Sequence, residues 1–235
     1  MALIETGDTA EAGRRLDVLC QSLPAESPYH ALFVYNRGLA LLRAGKQDHA
    51  LSLFAAVLDS GCFENPRSSL YAFYPLLLNG LAAAYAIKGD VATAEHWQGL
   101  AHDHITPERS GMLLLNDTYI GIRAGRCAVV VKDAEASWAK AEGCLPGAQM
   151  QALRVLCAFA LATTNPNGVN DAKIRQFLEA VQPCRPAQFD HLVINWPQLR
   201  DFLAEHGFAA ASQAGTAAAA EQARGRPRPR REAQA

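Results

Sequence analysis

Small, large and turn-forming residues recur along this chain at fixed offsets. Gly7-Asp8, Gly45-Lys46 and Gly89-Asp90 are each followed by an alanine five residues after the glycine, at Ala12, Ala50 and Ala94. In the first two copies a large apolar residue comes four later, Leu16 and Phe54. Gly38 and Leu41 precede Gly45 at the same offsets at which Ala82 and Tyr85 precede Gly89. A small residue where two helices approach, beside a large one that fills the hole, is the pattern of close helix packing.

The start and stop signals around these positions predict a series of helices. Asp8, with Glu11 three residues on as in a capping box, opens a helix over 9–22 that Pro24 ends. Ser27-Pro28 opens the next, which runs to Ala44 with Gly45 as its stop. Further helices are expected over 46–59, 68–88 and 91–104. Thr106-Pro107-Glu108 opens one that reaches Ala124, and helices over 127–142, 148–163 and 171–182 follow. Asn165-Pro166-Asn167-Gly168 reads as a loop. Near the end, Asn195 is placed to cap a short helix over 196–206 that begins at Trp196-Pro197. Its Trp196, Leu199, Phe202 and Leu203 are expected to cap the stack by docking on the last hairpin.

The set reads as one leading helix and three or four helical hairpins, all-α, over residues 1–207. In its offsets the chain resembles the tetratricopeptide repeat, a helix-turn-helix unit of about 34 residues. The resemblance is clearest over 28–59 and extends to 5–24 and 70–101. It thins over 107–182, where Gly125 holds the turn but Val130 and Ala134 stand where Ala and Phe are expected. Such units stack into a right-handed α-solenoid, because each hairpin buries its apolar faces only against its neighbours.

The resemblance also implies a concave groove lined by the first helix of each hairpin. Its positions here are Leu32, Tyr35, Leu39, Leu42 and Arg43, then Asn79, Ala83, Ala86 and Ile87, then Leu115, Asn116, Tyr119, Ile122 and Arg123. One branch of the family grips chaperone tails with Lys and Arg in the groove, and the matching positions here hold no Lys. A groove of apolar residues with Tyr and Asn instead suits a helical or extended apolar segment of a protein partner. Tyr35 and Tyr119 are the leading candidates, since a phenol wants a polar partner at its tip.

Charge divides the chain. Residues 208–235 hold five Arg and two Glu, a net of +3, which leaves −4 for residues 1–207. The tail is Ala-rich and then Arg/Pro-rich, too poor in large apolar residues to fold, and is read as disordered. Arg224-Gly225-Arg226-Pro227, followed by Arg228, looks like the centre of an AT-hook, which makes DNA binding the alternative reading. The six Cys show neither a CxxC pair nor a framework spacing, which reads as free thiols in a reducing cytoplasm. There is no signal-peptide pattern and no long uninterrupted apolar run of membrane length.

Motifs for chemistry are lacking: no phosphate-binding glycine loop and no nucleophile elbow occur. His96, His102 and His104 are spaced six and two apart, wrong for ligands on one helix face, so no metal is expected. The expectation is a non-enzymatic, cofactor-free interaction scaffold, adaptor or complex subunit, with self-association open. In the alternative, the tail holds nucleic acid and the repeats recruit a partner.

Overall fold

The computed structural model describes residues 9–24, 27–165, 167–184 and 188–208. The Gly7-Asp8 turn and the tail from 209 onward, including Arg224, Arg226 and Arg228, lie outside the described residues. Among the described residues there are ten α-helices and no strand. They are α1 (Thr9–Ser22), α2 (Pro28–Arg43), α3 (Gln47–Asp59), α4 (Tyr74–Lys88) and α5 (Val91–His104). Then come α6 (Leu114–Arg123), α7 (Cys127–Cys144), α8 (Gly147–Thr163), α9 (Asp171–Glu179) and α10 (Pro197–Glu205).

Three of the connections are the same turn. Gly45, Gly89 and Gly125 have φ of 76°, 93° and 78°, the left-handed region where a side chain is strained. In each, the following residue donates its N–H back five residues: Lys46 to Leu41, Asp90 to Tyr85, and Arg126 to Gly121, at 2.9–3.0 Å. This closes the last carbonyls of one helix and aims the chain directly into the next. Consecutive helices therefore pack as hairpins. The first helices also pack on one another, α2 on α4, α4 on α6 and α6 on α8, forming one row.

The small and large positions of the pattern meet as its offsets require. Phe54 of α3, fully buried, is driven into the seam between α2 and α4. A Cβ on Gly38 would stand 2.4 Å from its ring, and one on Gly80 would stand 3.2 Å away. Ala50 and Ala94 are fully buried beside the turns. In the leading helix, Ala12 and Leu16 pack against Ala40 of α2. Gly121 plays a related part further on, where its missing Cβ admits the Val130 side chain.

Three expectations are corrected. The helix expected over 68–88 is two pieces, a 3-10 turn at Ser69–Phe73 and then α4. Pro75 lies in the first turn of α4, where its ring and missing N–H do no harm but would disrupt a continuous helix through Ser69. Likewise 106–124 is a loop, a 3-10 turn at Ser110–Leu113 and then α6. In that turn Gly111 lets its backbone pass Lys140 so closely that a Cβ would meet the Lys140 carbonyl at 2.5 Å. The helix expected over 171–182 ends at Glu179, with Val181 turned fully into the core. Ser69–Lys88 is long and apolar enough to cross a membrane by length and composition, but 56% of that stretch is buried inside the protein.

The cradle around Phe54 sets a paired prediction. Gly38→Ala places a methyl against the ring, and despite better helix propensity it should destabilise by about 1–3 kcal/mol. Gly99, in mid-helix with open space around it, is the control. Gly99→Ala should stabilise by up to ~1 kcal/mol. Urea unfolding followed by circular dichroism reads both, and equal signs would refute the cradle.

Candidate binding groove

The row formed by α2, α4, α6 and α8 carries the residues that the repeat pattern assigns to a groove. On α6, Asn116, Tyr119 and Arg123 share one face by their three- and four-residue spacing. On α2, Leu32, Leu39 and Arg43 share a face at spacings of seven and four, and on α4 Asn79, Ala83 and Ile87 do so at spacings of four. That face is not empty. Residues 188–208 of the same chain cross it.

The crossing is specific. The 3-10 turn Asp190–Leu192 packs on α2, and Ile194 reaches the Gly45 turn, 3.1 Å from where a Cβ there would stand. The Tyr119 hydroxyl donates to the Leu192 carbonyl at 3.0 Å, and Arg123 donates through Nη1 to the Asn195 carbonyl at 3.0 Å. Asn195 has φ +56°, a left-handed conformation asparagine tolerates, and its side-chain amide donates to the Ile87 carbonyl of α4 at 3.4 Å. Trp196 follows, set edge-on to Tyr119 and to Phe159 of α8 at centroid distances of 5.0 and 5.4 Å. The Arg123 guanidinium lies 4.9 Å over the Trp196 ring. Leu199, Phe202 and Leu203 of α10 are buried beyond it.

Two expectations fall here. Asn195 does not cap α10: Trp196 occupies the cap position, and the Asn195 side chain reaches across to α4 instead. Nor does the terminal segment sit on the last hairpin alone, since it spans the row from α8 to α2.

The site residues read from the sequence separate into three groups. Tyr119, Arg123 and Arg43 face residues 188–208, with the Arg43 cation near His191. Tyr35 does not line the groove: it is core, 6% exposed, ring-packed on Phe54 and Phe63, with its hydroxyl bonded to the Leu76 carbonyl. Its phenol finds its polar partner inside the protein, and burial holds the hydroxyl protonated. Leu39, Asn79, Ala83 and Leu115 are half-buried, and Asn116 donates to both oxygens of Asn79, tying α6 to α4. The residues 188–196 that fill the face fall in the stretch 185–207 expected to cap the last hairpin, and nothing local in the sequence says which further surface they cover.

The three clustered histidines go to separate partners. His102 Nε2 pairs with Asp117 at 2.8 Å, His104 meets the Tyr71 hydroxyl at 3.0 Å and the Tyr74 ring, and His96 lies against Trp97. Asp117 also accepts from Gln98 at 2.6 Å. Gln98 occupies the offset at which the preceding copy has Phe54, so a buried polar link replaces the apolar wedge there. Among the described residues no three metal-ligating side chains converge. The buried Cys157 thiol is pushed up to about 12 by desolvation, which leaves it unreactive at neutral pH.

No family model matches this chain, and no curated protein and no solved structure matches it either.

Two imidazoles titrate in opposite directions. The hydrogen bond it donates to the Asp117 carboxylate raises His102 above its ordinary 6.5, so its stabilising contribution is complete below 6.5 and is lost as pH rises through the raised value. Desolvation, aided by Arg43, lowers His191 to about 4. The unfolded chain then takes up a proton that the folded chain refuses, and stability falls as pH drops from 6.5 toward 4. Imidazole resonances followed by NMR should show one midpoint above 6.5 and one near 4. Asp117→Asn should bring the first back toward 6.5 and leave the second unmoved. A His191 midpoint near 6.5 would mean that its surroundings are wet.

Proposed function

We propose that this chain is a protein–protein interaction scaffold, an adaptor or complex subunit. In this reading its hairpins form an α-solenoid related to the tetratricopeptide repeat, and the row α2, α4, α6 and α8 is the concave surface that receives a partner segment. The single observation that carries the reading is chemical. Side chains of the row already hold a peptide segment by its main-chain carbonyls, Leu192 on Tyr119 and Asn195 on Arg123.

Three glycine turns closed by the same hydrogen bonds support the repeat reading, at spacings of 44 and 36 residues that are longer than the usual unit of about 34. The half-exposed strip of Leu39, Ala83 and Leu115 supplies apolar contact to a partner, and the Asn79–Asn116 pair supplies polar contact. The reading is of binding without catalysis. A reducing cytoplasm suits a chain whose six cysteines are all free thiols.

Quantitative affinity capture from cell extract with the full chain tests this, beside full-chain Ala83→Arg, which projects a long cation from the row without opening a cavity. A partner should be recovered by the first and depleted at least ~10-fold by the second, a loss on the scale of one interface hot spot. Thermal melts should agree to within a few degrees. If every protein recovered by the wild type is recovered equally by the variant, the row is not the partner surface.

A further inference from the structure

We infer that residues 188–208 are a ligand held in cis. The partner segment that binds this groove then carries the same chemistry and displaces them: an irregular stretch presenting main-chain carbonyls, then a tryptophan or similar aromatic leading a short amphipathic helix. This rests on the reading of the row as a partner surface and names what that surface recognises.

Four features separate the segment from ordinary core. The row's own donors reach its main chain: Tyr119 and Arg123 take the carbonyls of Leu192 and Asn195, groups that any peptide owns, while its side chains add two bonds, Gln188 to Gln151 and Asn195 to the Ile87 carbonyl. Its apolar hold is concentrated on an anchor, Trp196, in a slot made by Tyr119, Phe159 and Arg123 from two different helices. Aromatic anchors in preformed slots dominate peptide binding, and main-chain contacts add affinity without sequence preference. The backbone of α10 does not run close along any other helix, so its grip is by side chains, whereas α1 to α9 pack backbone-close on their neighbours. Finally, the segment lies at the end of the described chain, past α9, so its release breaks no hairpin. On this inference the segment opens below the free energy of global unfolding, which hydrogen exchange reads directly.

Competition in cis has a distinctive arithmetic. An external peptide binds with its own affinity reduced by the fraction of molecules in which the groove is free. Weakening the resident segment alone therefore tightens external binding. A substitution at Tyr119 or Arg123, which grip the resident segment, weakens both and largely cancels.

The test titrates full-length protein with a fluorescein-labelled peptide of the sequence of residues 188–208. Full-length Trp196→Ala should bind it at least ~100-fold more tightly than wild type, since truncating a buried Trp costs ~3 kcal/mol or more and each ~1.4 kcal/mol is tenfold. Asn195→Gly keeps the left-handed turn, removes only the bond to Ile87, and should gain about 3-fold. A peptide carrying Ala in place of the tryptophan should bind neither. Should Trp196→Ala fail to fold, Asn195→Gly and wild-type hydrogen exchange decide. The amides of Leu192, Trp196 and Arg200 should exchange at least ~100-fold faster than those of α4.

If neither folded variant binds the peptide more tightly than wild type, or if these amides exchange only with α4, the segment is core and the inference is wrong. A captured partner that leaves the exchange of 188–208 unchanged would likewise overturn it while sparing the scaffold reading. Peptide exchange in a protein whose row captures no partner would overturn the scaffold reading alone.

Discussion

Everything in this molecule depends on three backbone reversals made at positive φ. A helix with one apolar face gains little by itself, and burial requires a second helix brought back against it within a few residues. Gly45, Gly89 and Gly125 do this with the same pair of main-chain hydrogen bonds each time. Because the reversal is the same, the helix after it leaves at the same angle, and the first helices fall into a row. Phe54 shows how closely that row is set: its ring fits only because Gly38 and Gly80 lack a Cβ. A side chain at either glycine would spread α2 from α4 and so disturb the face that Tyr119 and Arg123 share with them.

The row then presents an apolar face with no second row to cover it. In this chain residues 188–208 supply the cover, and their contacts divide into two kinds. Trp196, Leu199, Phe202 and Leu203 remove apolar area from water, each side chain contributing roughly 1.5–3 kcal/mol. The buried bond from the Tyr119 hydroxyl contributes less, about 0.5–1.5 kcal/mol, the Arg123 bond is solvent-exposed, and the role of both is to set register. Without Tyr119 the buried Leu192 carbonyl would lack a partner. The left-handed Asn195 turns one carbonyl toward Arg123 and its own amide toward Ile87.

Much of this was legible in the amino-acid sequence, and the part that was not has a physical reason. Glycine at a turn is informative because few other residues hold φ near +80°, so the reversals at Gly45, Gly89 and Gly125 could be read directly. The Ala50–Phe54 spacing was equally readable, since volume must be conserved across a helix seam. Tyr35 was not, because a phenol is satisfied as well by the buried Leu76 carbonyl as by a groove ligand. Asn195 was misread for a similar reason: asparagine serves as a helix cap and as a left-handed turn residue. Gln98 stands where a large apolar residue belongs, and only Asp117, nineteen residues away, explains why it is tolerated.

What the face selects follows from where its donors point. Tyr119 and Arg123 bond to main-chain carbonyls, which every peptide presents at the same spacing, so these contacts reward an open backbone and cannot rank sequences. Ranking falls to the slot between Tyr119 and Phe159. It is bounded by ring edges at 5.0 and 5.4 Å and roofed by a guanidinium. A flat aromatic fills it with edge-to-face and cation–π contact at once, and an aliphatic chain of equal volume gains neither. Proline immediately after the aromatic adds a further constraint, since Pro197 opens α10 without an unpaired N–H and keeps Trp196 out of the helical conformation. The aromatic–proline step is thus the part of 188–208 that distinguishes it from any other amphipathic stretch able to cover the same row.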